Sequence, residues 1–341
     1  MAERPIGVLV AALGTPEAPT TAAVRPYLRE FLSDRRVVDM NPFLWQIILR
    51  LFVLPRRPAR SAALYRRIWT PEGSPLMVQS RAQVAGLQTR LGEGFRVVLG
   101  MRYGQPSIQS ALQTLTAEGL DRILIFSMFP QFSSATTASI DDAVSRAALG
   151  RRCPLFYERT RYVPTLRYVP PYYDHPAYLD ALRVLLEEQR AQADFDADHI
   201  LFSFHGIPQR FATEGDPYPD QCKITAHKLA AALGLGAEDW SLSFQSQFGR
   251  EAWLQPYTVS ALERSAAQRK RLLVACPGFT TDCLETLDEI GHEGAELFHA
   301  AGGEHYHTAP CLNAHPRWLD AMAQIVHEET SGWRHTGAAS L

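Results

Sequence analysis

Short apolar runs of strand length alternate with longer amphipathic patterns along the chain, and this alternation restricts the fold more than any other feature. Strands are expected over 6–11, 96–101, 122–128, 199–204, 241–245, 271–276 and 304–308. Helices are expected over 21–31, 107–118, 137–148, 175–192, 220–232, 259–268, 282–289 and 316–328. Such alternation predicts an α/β fold of parallel sheets with helices on both faces. At 341 residues the chain is long for one core, so two domains are expected. A polar, proline-rich passage near 160–176 divides the series into two halves, with no clear sequence repeat between them. The division reads as 1–170, 171–330 and a tail over 331–341.

Several function classes are disfavoured by what the chain lacks. It has no G-x-G-x-x-G and no G-x-x-x-x-G-K-[ST]. Gly14-Thr15-Pro16 follows the first strand, but Pro16 removes a backbone donor and one glycine makes no dinucleotide cradle. A formal net charge of −2 gives no case for nucleic acid. No apolar run reaches the roughly 20 residues of a bilayer span, and no secretory signal is visible at the amino terminus. Cys153, Cys222, Cys276, Cys283 and Cys311 are scattered, with no C-x-x-C pair. They read as buried or free thiols in a reducing compartment.

Two segments carry chemistry. The run from His199 through Phe202 ends in Ser203-Phe204-His205-Gly206-Ile207-Pro208. In a parallel sheet, the carboxyl end of a strand is where ligands bind. Imidazole there can take a proton near neutral pH or coordinate a metal. The bland alternative is a hydrogen-bonded core histidine. Later, the stretch from Asp282 to Glu293, read as helix, sets Glu285, Glu289 and Glu293 four apart on one face. A ladder of hard oxygen donors suits a divalent ion and proton acceptance. The bland alternative is a solvated acidic face, although like charges at this spacing oppose an exposed helix.

One stretch departs from the alternation. Residues 42–55 are apolar nearly all round, and Arg56, Arg57, Arg60, Arg66 and Arg67 follow. They read either as a buried helix with a basic flank or as an apolar lip lying on a membrane or over a greasy ligand.

Together these motifs resemble the ferrochelatase family, which inserts Fe2+ into a porphyrin. The resemblance rests on Leu13-Gly14-Thr15-Pro16, Tyr65-Arg66-Arg67-Ile68, Gly73-Ser74-Pro75-Leu76, Met101-Arg102-Tyr103-Gly104 and Phe129-Pro130-Gln131-Phe132-Ser133. It continues through residues 201–208, Gly215-Asp216-Pro217-Tyr218-Pro219, Phe244-Gln245-Ser246 with Trp253, and residues 276–289. The resemblance implies two Rossmann-like domains, each a four-stranded parallel sheet flanked by helices, with the porphyrin cleft between them. By the same resemblance, His205 and Glu285 are the catalytic pair. His205, Glu285 and Glu289 are the metal-handling groups, and Glu289 and Glu293 form a path toward solvent. Arg102 and Tyr103 match the pocket wall, while Leu13, Phe129, Phe132 and Trp253 would line it. Arg56, Arg57, Tyr65 and Ser74 belong to the lip and would hold propionates. Many relatives carry histidine where this chain has Cys283.

The expected reaction is iron insertion into protoporphyrin IX, giving haem, with the protein cytoplasmic and peripheral on a membrane surface. The rivals are a cobalt chelatase of the same superfamily and a haem-binding or trafficking protein on the same scaffold. No iron–sulfur cluster is expected: in cluster-bearing relatives a ligand comes from the loop that here carries Ser134, and the tail 331–341 holds no cysteine. His305 and His307 lie two apart on one strand face and are read as packing rather than ligation.

Overall fold

The computed structural model describes residues 4–150, 162–249, 251–268 and 271–333. Its strands are β1 (Ile6–Gly14), β2 (Phe95–Tyr103), β3 (Arg122–Ser127), β4 (Thr165–Tyr168), β5 (His199–His205), β6 (Trp240–Gln245), β7 (Arg271–Ala275) and β8 (His305–Thr308). They form two four-stranded sheets, ordered β2-β1-β3-β4 and β6-β5-β7-β8, with every named pairing parallel. The halves therefore repeat one topology. β1 is buried along nearly its whole length, as a strand covered by helices on both faces must be.

The structure corrects the sequence reading at a few elements. β4 falls within the passage read as a divider; it is an edge strand of partly exposed residues and so lacks an apolar run. Helix Pro75–Leu91 was not expected because its buried face mixes Leu76, Leu87 and Leu91 with Ser80 and Gln83, which breaks the apolar period. Helix Arg57–Ile68 was likewise unread; it buries only Pro58, Ala62 and Tyr65. The expected α-helix over 282–289 is instead a π-helix, Glu285–Glu293, continued by an α-helix Gly294–Ala300.

The lip is an α-helix Pro42–Ile48 running into a π-helical turn Leu49–Val53. The Asn41 side chain caps it, accepting from the Phe43 and Leu44 amides. Leu49 is buried beneath it, whereas Phe43, Leu44, Ile47, Leu51 and Phe52 are exposed. This is neither a core helix nor one apolar all round in its surroundings: one face anchors and the other is bare.

The two halves share a core. One apolar cluster joins Val8, Leu124 and Phe126 of the first sheet to Ile200, Phe202 and Leu273 of the second. Helix Pro316–Thr330 contributes Trp318, fully buried among Phe126, Tyr172 and Tyr178 with ring centroids 6.4, 5.9 and 5.9 Å away. Gln83 pins the same junction, donating to the carbonyls of Thr280 (3.0 Å) and Asn313 (2.8 Å) and accepting from the Thr281 hydroxyl. The carboxyl end of β1 and that of β5 consequently open on one cavity.

Candidate active site

A cavity of about 210 Å³ lies at these strand ends. Leu13 from β1, Phe129, His205, Trp253, Cys283 and Glu285 all face it. Its charge-bearing side chains are His205 and Glu285; the rest of the wall is mostly apolar. Such a cavity strengthens any electrostatic interaction inside it and favours a flat apolar ligand.

His205 is the last residue of β5. Its Nδ1 lies 2.6 Å from the Gly206 carbonyl. A carbonyl only accepts, so Nδ1 carries the proton, and in the neutral ring Nε2 is left with a free lone pair. Trp253 and Phe279 flank the imidazole at 6.3 and 6.4 Å. Gly206 makes this possible: a Cβ there would stand 2.9 Å from the Gln245 carbonyl and 3.0 Å from the Trp253 ring.

The π-helix carries the carboxylates. Its i→i+5 bonding widens each turn, and such segments occur frequently at functional sites. Glu285 lines the cavity. Glu289 is partly buried and held from outside the helix: the Ser246 amide donates to its Oε1 (2.7 Å) and the Ser246 hydroxyl to its Oε2 (2.5 Å). Burial raises the Glu289 pKa, and the Ser246 bonds, with His205 whenever its ring is protonated, only partly oppose that rise. Glu293 is half-exposed and pairs with Arg67 at 3.4 Å. The three are thus held differently, Glu285 at the cavity, Glu289 by Ser246 and Glu293 by Arg67, rather than lying as one solvated face.

Gln245 fastens this helix to the sheet. Its Oε1 accepts from Ser203 (2.7 Å), and its Nε2 donates to the Glu285 carbonyl (3.3 Å). Asp288, on the same helix, is buried and paired with Arg67 at 3.2 Å. Ahead of it, Asp282 accepts from the Cys311 amide and the Asn313 side chain. Gln245, Ser246, Asp282 and Asp288 fall within the motifs read from the sequence, but sequence reasoning assigns them no role; they act through partners distant in the chain.

The other expected site residues divide. Leu13, Phe129 and Trp253 line the cavity. Phe132 does not: its amide donates to Gln221 at 2.7 Å, and its neighbours Gln131 and Ser133 supply the wall instead. Arg102 and Tyr103 lie behind the wall. Both bond to Asp34, which also accepts from Ser139 (2.5 Å), and Tyr103 is fully buried. The carboxylate of Asp34 holds them there. Tyr65 packs edge-on against Tyr27 and Trp69, and Ser74 accepts from the Thr15 hydroxyl at 2.8 Å. Burial pushes the Tyr65 phenol well above its usual pKa. Arg56 is exposed, and Arg57 stacks over Phe248 at 4.9 Å. Burial, with a smaller effect from Arg60, lowers the Arg57 pKa. His307 bonds to Gln189 (3.0 Å) and the His305 ring lies tilted against Phe195 at 5.1 Å, so the pair is divided between separate contacts.

Cys222, Cys276, Cys283 and Cys311 are buried free thiols, and burial raises the pKa of each. Cys153 lies outside the described residues. Cys283 lines the cavity beside Glu285. Among the described residues no group of three or more His, Cys, Asp or Glu side chains is placed to hold a metal ion, and no helix is long and apolar enough to cross a membrane.

Residues 5–330 match the family model described as ferrochelatase. A ferrochelatase of Alcanivorax borkumensis is 44% identical over 97% of this chain and 95% of its own length. Ferrochelatase 1 of Shewanella oneidensis is 45% identical over 96% of both, and the Thioalkalivibrio sulfidiphilus ferrochelatase is 46% identical over 96% of this chain and 88% of its own. Among solved structures, SirB from Bacillus subtilis with Fe3+ aligns with a TM-score of 0.55 at 12% identity, covering 97% of this chain and 98% of that one. CbiX, described as the terminal enzyme of sirohaem biosynthesis in denitrifying bacteria, aligns at 0.51 and 14% identity, covering 94% and 98%. These two likenesses speak for the fold alone.

Proposed function

The chain belongs to the ferrochelatase family, and on that premise we propose that it inserts ferrous iron into protoporphyrin, the closing step of haem synthesis, in the cavity between its two sheets. The observation that carries this placement is the lone pair left on His205 Nε2 in an apolar chamber that also holds Glu285.

Insertion removes two pyrrole protons and admits one dication. His205 Nε2 is the acceptor for a pyrrole proton, since Nδ1 is already committed to a carbonyl. Glu285 receives the metal or the second proton on the cavity side. Glu289, with its raised pKa, takes protons from a neighbour readily, and Glu293 stands where they reach water. Leu13, Phe129 and Trp253 hold the ring by apolar contact. Arg57, whose charge is penalised by burial, is relieved by a propionate carboxylate, with Arg56 beside it. Arg102, Tyr103, Tyr65 and Ser74 then support the wall rather than touch the ring.

Iron is here a substrate. No iron–sulfur cluster is part of the reading; the support is Ser134 in the loop and the absence of cysteine from residues 331–341. The bare lip, with arginines around it, supports a cytoplasmic enzyme resting on an anionic membrane surface. The direct test is anaerobic incubation with protoporphyrin and Fe2+. Porphyrin fluorescence should disappear as haem absorbance grows. Haem or porphyrin binding without insertion would favour the carrier reading.

A further inference from the structure

The cavity is smaller than the roughly 300–1,000 Å³ of most small-molecule clefts. Its walls come from both halves of the chain, so contacts between the halves at its mouth bear on how a flat macrocycle enters and leaves. The geometry points to Arg210 as the positioning residue that clasps the lip strap to the second half across the cavity mouth and thereby sets the rates of porphyrin binding and release. The inference rests on the reading of the cavity as the tetrapyrrole site.

The strap is residues 35–40, which carry no helix or strand. Its ends are fixed. Asp34 is held by Arg102, Tyr103 and Ser139, and Asn41 caps the lip helix. Between them Val37 lines the cavity. Two residues further on, the Asp39 carboxylate pairs with Arg210 Nη1 at 2.6 Å, and the Asp39 carbonyl accepts from Nη2 at 3.4 Å.

Arg210 is aimed by the second half. Its Nε donates to Glu251 at 2.7 Å, and its guanidinium lies 4.7 Å over the Phe211 ring. Each member of the cluster sits beside a wall residue: Asp39 near Val37, Arg210 between Pro208 and Phe211, Glu251 near Trp253. The loop and the short helix Gln209–Thr213 are already joined by backbone bonds from Gln209 to Ala252 and from Leu254 to Ile207. The Glu251 contact is thus internal to one half, and the Asp39 contact is the one that spans the mouth. Arg57 over Phe248 makes a second crossing, a cation–π contact.

The pair is placed to yield. Asp39 is 55% exposed in its side chain and Arg210 34%, so water and salt screen it. An exposed ion pair of this kind contributes little to global stability but suffices to bias a local opening.

The test is stopped-flow fluorescence of porphyrin binding and release with wild type, Arg210→Ala, Asp39→Asn and the double variant, at low and high salt, with thermal melts alongside. Wild-type release should quicken at high salt. Each single variant should release porphyrin about fivefold faster at low salt, as expected for an exposed ion pair, and should lose the salt response. The double variant should be no faster than either single one. Melting temperatures should stay near wild type. Rates unchanged in folded variants, or additive effects in the double variant, would overturn the clasp while leaving the porphyrin site standing. No porphyrin binding by wild type would overturn both.

Discussion

Ser246 stands in the left-handed backbone region, φ 66°, where a non-glycine residue needs a compensating contact. Glu289 supplies it through two bonds. The same bonds are what lower a carboxyl pKa that burial otherwise raises. Ser246→Ala removes the hydroxyl bond, so the Glu289 pKa rises further. If Glu289 must be ionised to accept protons, activity falls as pH drops through that pKa. The acid limb of the pH–rate profile should therefore move to higher pH in Ser246→Ala, and an unmoved limb would remove Glu289 from the proton path. Glu289→Gln gives a second reading of the same residue. A carboxyl whose folded pKa lies above its unfolded one contributes stability at low pH and loses it as pH rises through the folded value. Neutralising it should raise the melting temperature at neutral pH while cutting turnover at least about tenfold. His205 and Glu285 were legible in the sequence, one from an abrupt strand end and the other from carboxylate spacing. The role of Ser246 was not, although its motif was, because that role comes from a partner 43 positions away.

At the scale of elements, the lip and the π-helix show what a pattern alone can and cannot say. Carboxylates four apart fit an α-helix, and nothing in their spacing announces i→i+5 bonding. The lip's apolar stretch was legible, but not which side faces out. Trp45 turns inward, its indole donating to the Leu32 carbonyl at 2.6 Å, while Phe43 and Leu51 are 78% and 62% exposed. Changing Trp45 would therefore disturb the fold as well as the surface. Phe43→Ser with Leu51→Ser should instead reduce co-sedimentation with anionic vesicles severalfold at an unchanged melting temperature. Equal sedimentation of the double variant and wild type would show that the exposed face does not bind lipid. β4 and helix Pro75–Leu91 escaped notice for opposite reasons: one is an edge with little to bury, and the other buries polar side chains at a junction.

For the whole molecule, strand–helix alternation carried the architecture of two parallel sheets, but it could not carry their union. Two halves read from a sequence look separable. Here Trp318 and Gln83 join them, and one apolar cluster runs through both sheets. Calorimetry should show one unfolding transition. Trp318→Ala should lower it as a unit by about 3–5 kcal/mol. Two separated transitions in wild type would mean the shared core does not couple the halves. The same union places His205 opposite the first half's wall, and the central claim is that this histidine works on pyrrole protons while apolar walls supply affinity. Anaerobic single-turnover insertion of Fe2+ into bound protoporphyrin, compared between wild type and His205→Ala, tests it most directly. The account predicts porphyrin affinity within a few fold of wild type and insertion slowed at least about 100-fold. A folded His205→Ala protein that inserts iron at close to the wild-type rate would contradict it.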